Sequence, residues 1–208
     1  MACAVSTVLN CLRTGALLLG LCVALGCART VATTTPLPVA GGAVAVFPPH
    51  NRTGDDLLIA GASYLEKYAL RSDRITVPDV VVSEARRQLA RRGSTVVPAE
   101  TVDTATEGHT PTSAEEAAAA AARHGLEGSV LYVEIRRWEP DVAFRPSFVI
   151  VSLEMTLVDP ETRRILWRAD HPSRPIPTPG VATLGEAYTI AAQKVVEEML
   201  SSEPSLPP

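Results

Sequence analysis

The chain has 208 residues, of which 46% are hydrophobic and 20% are charged, and its formal net charge at pH 7 is −4. Once an N-terminal leader is set aside, about 180 residues remain, which is enough for one domain with a sizeable core. The mild acidity argues against nucleic acid as a partner, because nucleic-acid-binding domains usually carry a basic patch.

The first element is an N-terminal leader. An apolar run covers residues 14–26, follows Arg13 and ends at Cys27. The run is shorter than the roughly 20 residues that a transmembrane helix needs, and it has the length and flanks of a secretory signal peptide. All 4 cysteines lie in or directly after this leader, so we expect no disulfide and no cysteine-based catalytic or zinc site in the folded part.

The end of the leader, VALGC, resembles a bacterial lipobox. In signals of this kind a small residue, here Gly26, precedes a cysteine that becomes diacylated and starts the mature chain. The resemblance implies a signal peptide over residues 1–26 and fatty acyl chains, such as palmitate, on Cys27 that hold the protein to a membrane. Ala28 stands where an aspartate retains many such proteins at the inner membrane, so we expect the periplasmic face of the outer membrane. The alternatives are a secreted protein and an uncleaved anchor.

Two segments frame the predicted domain. Residues 27–42 offer few groups to bury and contain two prolines, so we expect a flexible tether. Residues 201–208 are polar and rich in proline, and we expect them to be disordered. The domain is therefore predicted over residues 43–200.

The first half of the domain alternates strands and helices. The pattern predicts a strand at 43–47, helices at 57–70 and 77–93, a strand at 94–97 and a polar loop at 100–112. In the second helix we expect Asp79 to be the N-cap and Gly93 to end the helix. Its buried face is predicted to carry Val81, Ala85 and Leu89.

The second half is richer in strands. Ser113 and Glu116 predict a capping box before an alanine-rich helix that ends at His124 and Gly125. The later elements are strands at 129–138, 148–158 and 165–169, with a turn at Pro160, and after a proline-rich loop a helix at 184–200. Strand 148–158 alternates so that one face is dry, and the helix carries a buried stripe of Tyr188, Ala191, Val195 and Met199.

The resulting order is β-α-α-β-α-β-β-β-α. Strands and helices that alternate in this way predict an α/β domain of two or three layers. The sheet is expected to be single and mixed, with its C-terminal strands antiparallel.

Three passages carry a likeness to known proteins: VAVFPPHNRTGDD at 44–56, GLEGSVLYVEIRRW at 125–138 and VSLEMTLVDPETRRILWRAD at 151–170. In this order and spacing they resemble a family of bacterial lipoproteins of unknown function that is related to the N-terminal domain of TolB, to LpoB and to the curli secretion lipoprotein CsgG. The resemblance implies a TolB-like mixed-sheet sandwich. It also implies a non-catalytic, periplasm-facing module that helps assemble or regulate an envelope complex, with an envelope protein as partner and self-association left open.

The turn after the first strand holds one set of candidate partner contacts, Asn51, Arg52 and Asp55. Ligands of α/β sheets often bind at the carboxyl ends of strands, which favours a contact role. The alternative is a plain turn, in which the Asn51 side chain bonds the backbone and Gly54 supplies a positive φ.

A second set, Arg137, Trp138, Phe144 and Phe148, surrounds the loop between two predicted strands. Aromatic side chains and arginine are enriched in interface hot spots, so these residues are candidate partner contacts. The alternative is that the aromatic side chains close one end of the core.

No residue pattern points to catalysis or to a cofactor. The 4 histidines lack metal-ligand spacing such as H-E-x-x-H, and solitary histidines in polar loops are usually solvated. Paired acidic residues fall at predicted helix starts, where carboxylates stabilise the helix dipole. We therefore predict no enzymatic activity, no catalytic residue, no metal and no cofactor. The alternatives are a secretion pore subunit like CsgG, an envelope hydrolase and a small-ligand binding protein.

Overall fold

The computed structural model describes residue 37, residues 42–59 and residues 75–201. The elements in this part are β1 (Ala43–Val46), β2 (His50–Asn51), α1 (Val77–Arg91), β3 (Thr95–Val96), α2 (Ala99–Thr106), α3 (Ala114–Arg123), β4 (Ser129–Pro140), β5 (Phe148–Val158), β6 (Ile165–Pro177) and α4 (Leu184–Leu200). The predicted signal peptide, Cys27 and most of the predicted helix at 57–70 lie outside the described residues. Among the helices of the described part, none has the length and hydropathy to cross a membrane.

The strands of the described part form one mixed sheet in the order β3-β1-β4-β5-β6, with β2 paired beside β4. β1 is parallel to both β3 and β4, β2 is also parallel to β4, and β5 is antiparallel to both β4 and β6. The predicted α/β class, the mixed sheet and the antiparallel C-terminal strands are confirmed.

Helices cover both faces of this sheet. α1 and α4 pack on the face that carries Val44 and Val46, and α2 and α3 pack on the face that carries Ala45 and Phe47. Successive side chains of a strand point to opposite faces, which explains how β1 serves both cores. The predicted buried residues of α1, β5 and α4 all lie in the first core.

The N-cap of α1 is Thr76, so the prediction of Asp79 as the cap is wrong. The Asp79 N–H donates to Thr76 Oγ1 at 3.4 Å, and the Asp79 carboxylate accepts from the Thr76 N–H at 2.7 Å, which makes a capping box. The helix runs through Pro78, because proline is tolerated in the first turn, where its missing N–H has no helical partner. Gly93 follows the helix with a φ of 82°, as predicted.

The capping box predicted at α3 forms only in part. Ser113 Oγ accepts from the Glu116 N–H at 3.1 Å, as expected. The Glu116 carboxylate, however, accepts from the N–H and the hydroxyl of Thr112, each at 2.8 Å. In a complete capping box it would accept from the N–H of the N-cap residue, Ser113. The hydrogen bonds from Thr112 lower the pKa of Glu116 below its ordinary value.

Two predicted loops are regular structure. Most of the predicted loop's first part belongs to helix α2, which packs Val102 and Ala105 into the second core and also buries Thr106. The proline-rich stretch after residue 169 continues β6 as far as Pro177. β6 lies at an edge of the sheet, where a proline without an N–H need not break the ladder.

The chain enters the described fold beside the start of β4. Gly128 has a φ of 93°, and a Cβ at this position would lie 2.2 Å from the Ala43 carbonyl oxygen. The Ser129 hydroxyl donates to the same carbonyl at 3.4 Å. Leu37, which falls within the predicted tether, is buried and belongs to the first core.

Candidate functional site

The turn after β2 is held by the side chain of Asn51. Its Oδ1 accepts from the backbone N–H and the hydroxyl of Thr53, at 3.0 and 2.8 Å. Its Nδ2 donates to the Asp55 carbonyl at 2.7 Å, and Gly54 has a φ of 84°. The polar atoms of Asn51 therefore stabilise the turn, which fits the alternative interpretation, while the Asp55 side chain is exposed.

Arg52 belongs to a charged cluster on the sheet face opposite the first core. Its Nη1 lies 3.0 Å from Glu134 Oε1. At the centre of the cluster, Arg136 contacts Glu134 at 2.9 Å, Glu154 at 2.6 Å and Asp170 at 2.8 Å. Burial raises the pKa of Glu134, but the hydrogen bonds from Arg136 and Arg52 outweigh it and leave the pKa below its ordinary value. The charges of the cluster are mutually satisfied.

Trp138 is buried, so its prediction as an exposed contact is wrong and the alternative holds. The residue is 1% exposed, and its ring meets that of Tyr188 on α4. The cause is an irregularity in the pairing of β4 with β5 between Ile135 and Arg137, which adds one residue and reverses the side of every later side chain. Without it, Trp138 would share a face with Glu134.

The other residues of this set lie around the loop from β4 to β5. Arg137 is partly exposed and pairs with Glu139 at 2.6 Å, and it donates to the Ser173 hydroxyl at 3.1 Å. Phe148 is half-buried at the start of β5. Phe144 is 73% exposed at the tip of the loop. The structure thus brings Phe144 and Phe148 to one end of the sheet and places only Phe144 fully at the surface.

The loop itself, residues 141–147, is firmly held. The Asp141 carboxylate accepts from the N–H groups of Val142 and Ser147, each at 3.0 Å. Thr178, which is fully buried, donates its hydroxyl to the Pro146 carbonyl at 3.0 Å and its N–H to the Ser147 carbonyl at 2.8 Å. These bonds fix the two ends of the loop and leave its tip in solvent.

The tip of this loop is apolar and carries one cation. Val142 is 51% exposed, which the sequence interpretation did not single out. The guanidinium carbon of Arg145 lies 5.5 Å from the centroid of the Phe144 ring, a cation–π contact. Arg145 has a φ of 52°, a conformation that non-glycine residues seldom adopt. We call residues 141–147 the contact loop.

One histidine is not solvated, which corrects the expectation for this residue type. His171 on β6 is 2% exposed, its Nδ1 lies 3.3 Å from the Val151 carbonyl oxygen, and its Nε2 accepts from Arg174 at 2.9 Å. Burial and the Arg174 charge lower its pKa to about 4. Within the described residues, no three His, Cys, Asp or Glu side chains converge as metal ligands.

Comparisons with known proteins found similarities only among solved structures. No family model matches the chain, and no curated protein matches it. The PelC dodecamer from Paraburkholderia phytofirmans is similar at 17% identity and a TM-score of 0.46, over 82% of this chain and 96% of that one. Lipoprotein GNA1162 from Neisseria meningitidis is similar at 18% identity and a TM-score of 0.47, over 74% of this chain and 94% of that one. LpoB from E. coli is similar at 21% identity and a TM-score of 0.41, over 66% of this chain and 58% of that one.

These similar structures include a lipoprotein and LpoB, which the sequence resemblance had named. Their TM-scores are too low for the likeness to carry an argument about function. The relation to TolB and CsgG stays a prediction.

Proposed function

We propose that the protein is a lipid-anchored, periplasm-facing, non-catalytic module that helps assemble or regulate a cell-envelope complex. Its partner is an envelope protein that binds the contact loop. The observation that carries the proposal is the apolar tip of this loop, with Val142 51% and Phe144 73% exposed, on a frame of hydrogen bonds from Asp141 and Thr178.

An exposed apolar tip on a fixed loop favours binding. When a partner buries exposed apolar area, the free energy of the complex falls by about 25 cal/mol per Å². A loop that is already ordered loses little conformational entropy on association. Phe144 and Arg145 are of the residue types that dominate interface energetics. The contact loop therefore meets the physical requirements of a binding hot spot.

The position of the contact loop within the sheet also fits this function. The chain enters the fold beside Ser129, at one end of β4, and the contact loop follows Pro140 at the other end, 12 residues later. At about 3.3 Å per residue this separation is about 40 Å. The contact loop therefore lies at the end of the sheet opposite to the point where β1 begins.

The anchor is tested by replacing Cys27→Ser and separating membranes from soluble proteins. We expect the wild-type chain in the outer-membrane fraction and the variant in the soluble periplasmic fraction. If the variant still behaves as an integral membrane protein, the lipid anchor is refuted.

The partner is tested by crosslinking tagged, lipidated protein in intact cells. The comparison uses Phe144→Ser and a matched control, Ile165→Ser, which changes an exposed apolar residue at the opposite end of the sheet. We expect one reproducible envelope complex with the wild type and with the control, and its loss with Phe144→Ser. Crosslinks between copies of this chain alone would contradict the proposal.

A further inference from the structure

A cleft opens at the carboxyl ends of the parallel strands β1 and β3. α1, in the connection from β1 to β3, packs on the first face of the sheet, whereas α2 and α3, between β3 and β4, pack on the second. Where successive connections leave to opposite faces of a parallel sheet, a crevice forms outside the strand ends, and such crevices are the usual ligand sites of α/β folds.

The cleft has the size and the walls of a small-molecule site. Its volume is about 660 Å³, within the range of about 300–1,000 Å³ that is typical of ligand pockets. Its apolar walls are formed by Val46, Pro48, Pro49, Pro78, Val82 and Val102. Three of these six are prolines, whose rings are rigid and lose no side-chain entropy when a ligand packs on them.

Two opposite charges face this cleft from different walls without pairing. Arg86 lines it from α1 and Asp103 lines it from α2. Neither side chain forms an ion pair with any residue of the described part, and Arg87, the neighbour of Arg86, pairs with Glu84. Asp79, which also lines the cleft, has its carboxylate occupied by the N–H and the hydroxyl of Thr76, each at 2.7 Å.

This arrangement of charge selects the class of ligand. A simple anion would pair with Arg86 alone, and a simple cation would pair with Asp103 alone. A neutral ligand would pair with neither charge. A ligand that carries both a positive and a negative charge can pair with both Asp103 and Arg86. A carboxylate suits Arg86, because a guanidinium group can donate two parallel hydrogen bonds to it.

We propose that the cleft binds a short peptide with free ends. The C-terminal carboxylate binds Arg86, the N-terminal ammonium binds Asp103, and the peptide body packs on the three prolines. This site is separate from the contact loop and does not depend on the function proposed for that loop.

The test is a binding titration of the full chain in detergent micelles. The probes are the alanine tripeptide and tripeptides with leucine or phenylalanine at the middle position, each with free ends. Binding is measured by calorimetry and located by NMR through the amide shifts of Val82, Ser83 and Val102. We expect saturable shifts at these amides. The proposal is overturned if none of the three peptides shifts them.

Capped peptides and variants then assign each end. We expect C-terminal amidation or Arg86→Gln to weaken binding about tenfold or more, and N-acetylation or Asp103→Asn to do the same, because each change removes a charged hydrogen bond. Amidation should have no further effect in Arg86→Gln, and acetylation none in Asp103→Asn. If peptides with both ends capped bind as tightly as free ones, the assignment is wrong.

Matched controls separate this site from general effects of charge and from the contact loop. Arg91→Gln on α1 and Glu100→Gln on α2 change exposed charges of the same helices away from the cleft. Both should bind the free peptides as the wild type does, and so should Phe144→Ser. Equal weakening by the controls would overturn the proposal, whereas peptide binding by Phe144→Ser is expected whether or not the contact loop binds a partner.

Discussion

Trp138 of β4 and Tyr188 of α4 meet edge to face, with ring centroids 6.2 Å apart and ring planes at 89°. Both are buried, at 1% and 7% exposure. The contact joins α4 to the sheet close to the point where β4 passes into the contact loop. Burial, with a smaller effect of the Asp55 charge, raises the pKa of Tyr188, so its hydroxyl stays neutral at physiological pH.

The first prediction concerns this pair. Trp138→Ala should lower the free energy of unfolding by about 3–5 kcal/mol, because it removes a fully buried aromatic side chain and leaves a cavity. Urea unfolding followed by circular dichroism measures the change. Phe144→Ala, an exposed aromatic of the same region, should change it by less than about 0.5 kcal/mol. A loss below about 1 kcal/mol for Trp138→Ala would show that the tryptophan is not in the core.

The second prediction concerns the start of β4. Gly128→Ala should be strongly destabilising, since the new Cβ would lie 2.2 Å from the Ala43 carbonyl oxygen and force β1 away from β4. Gly180→Ala is the matched control, with a similar positive φ of 75° and nothing within 4 Å of the new Cβ. The control should cost about 1 kcal/mol of stability. Equal losses in thermal unfolding would argue against the close approach of the two strands.

The third prediction concerns the charged cluster on the sheet. Arg136→Gln leaves Glu134, Glu154 and Asp170 without their shared cation, and we expect a loss of about 1–2 kcal/mol at pH 7 after allowance for screening by water. Arg136 helps to hold the pKa of Glu134 below its ordinary value, so the stability it confers is present above that value and disappears as the pH falls through the lowered pKa.

The loss caused by Arg136→Gln should therefore shrink between pH 7 and pH 3 in urea unfolding. Arg137→Gln, whose side chain pairs with the exposed Glu139 and lowers the pKa of that carboxyl, should cost much less and show a smaller pH dependence of the same sign. A loss that stays constant with pH would mean that Arg136 acts by packing and not by charge.

The fourth prediction concerns His171. Its Nε2 accepts a hydrogen bond from Arg174, so the folded state holds the imidazole neutral with its proton on Nδ1. Arg174 in turn pairs with Glu198. Burial and the Arg174 charge lower the pKa of His171 from 6.5 to about 4, so its contribution to stability is present above pH 6.5 and is lost as the pH falls toward 4.

The loss of stability on acidification is up to about 3 kcal/mol, because each tenfold change in proton affinity corresponds to about 1.4 kcal/mol. Unfolding free energies measured from pH 7 to pH 4 should fall more steeply for the wild type than for His171→Gln. His109→Gln, which changes an exposed histidine, should follow the wild type. Parallel curves for the wild type and His171→Gln would show that the buried histidine accepts a proton freely.

The sequence predicted the elements whose hydrophobic period is long and regular. The bounds of α4 and β5 and the buried residues of α1 agree with the structure, because 3.6-residue and 2-residue periods extend over several turns or pairs. Short or interrupted patterns failed. α2 has only 8 residues, most of them polar, so two buried apolar side chains did not stand out from a loop. The prolines in the second part of β6 led to the prediction of a loop, whereas an edge strand tolerates proline.

The candidate site was harder to predict for a physical reason. The face on which Trp138 lies depends on one added residue after Ile135, and a shift of one residue in a strand exchanges its two faces. The adjacent pair Arg136 and Arg137 is the only trace of that irregularity in the sequence. The cleft between α1 and α2 was not predictable, because α2 itself was not.

The most direct test of the proposed function places a photo-crosslinking amino acid at position 144 of the lipidated protein in living cells. The matched control carries it at Glu161, an exposed turn residue at the end of the sheet beside the chain entry. We expect irradiation to join position 144 to one envelope protein and position 161 to none. Equal crosslinking from both positions, or none from position 144, would contradict a partner-binding role of the contact loop.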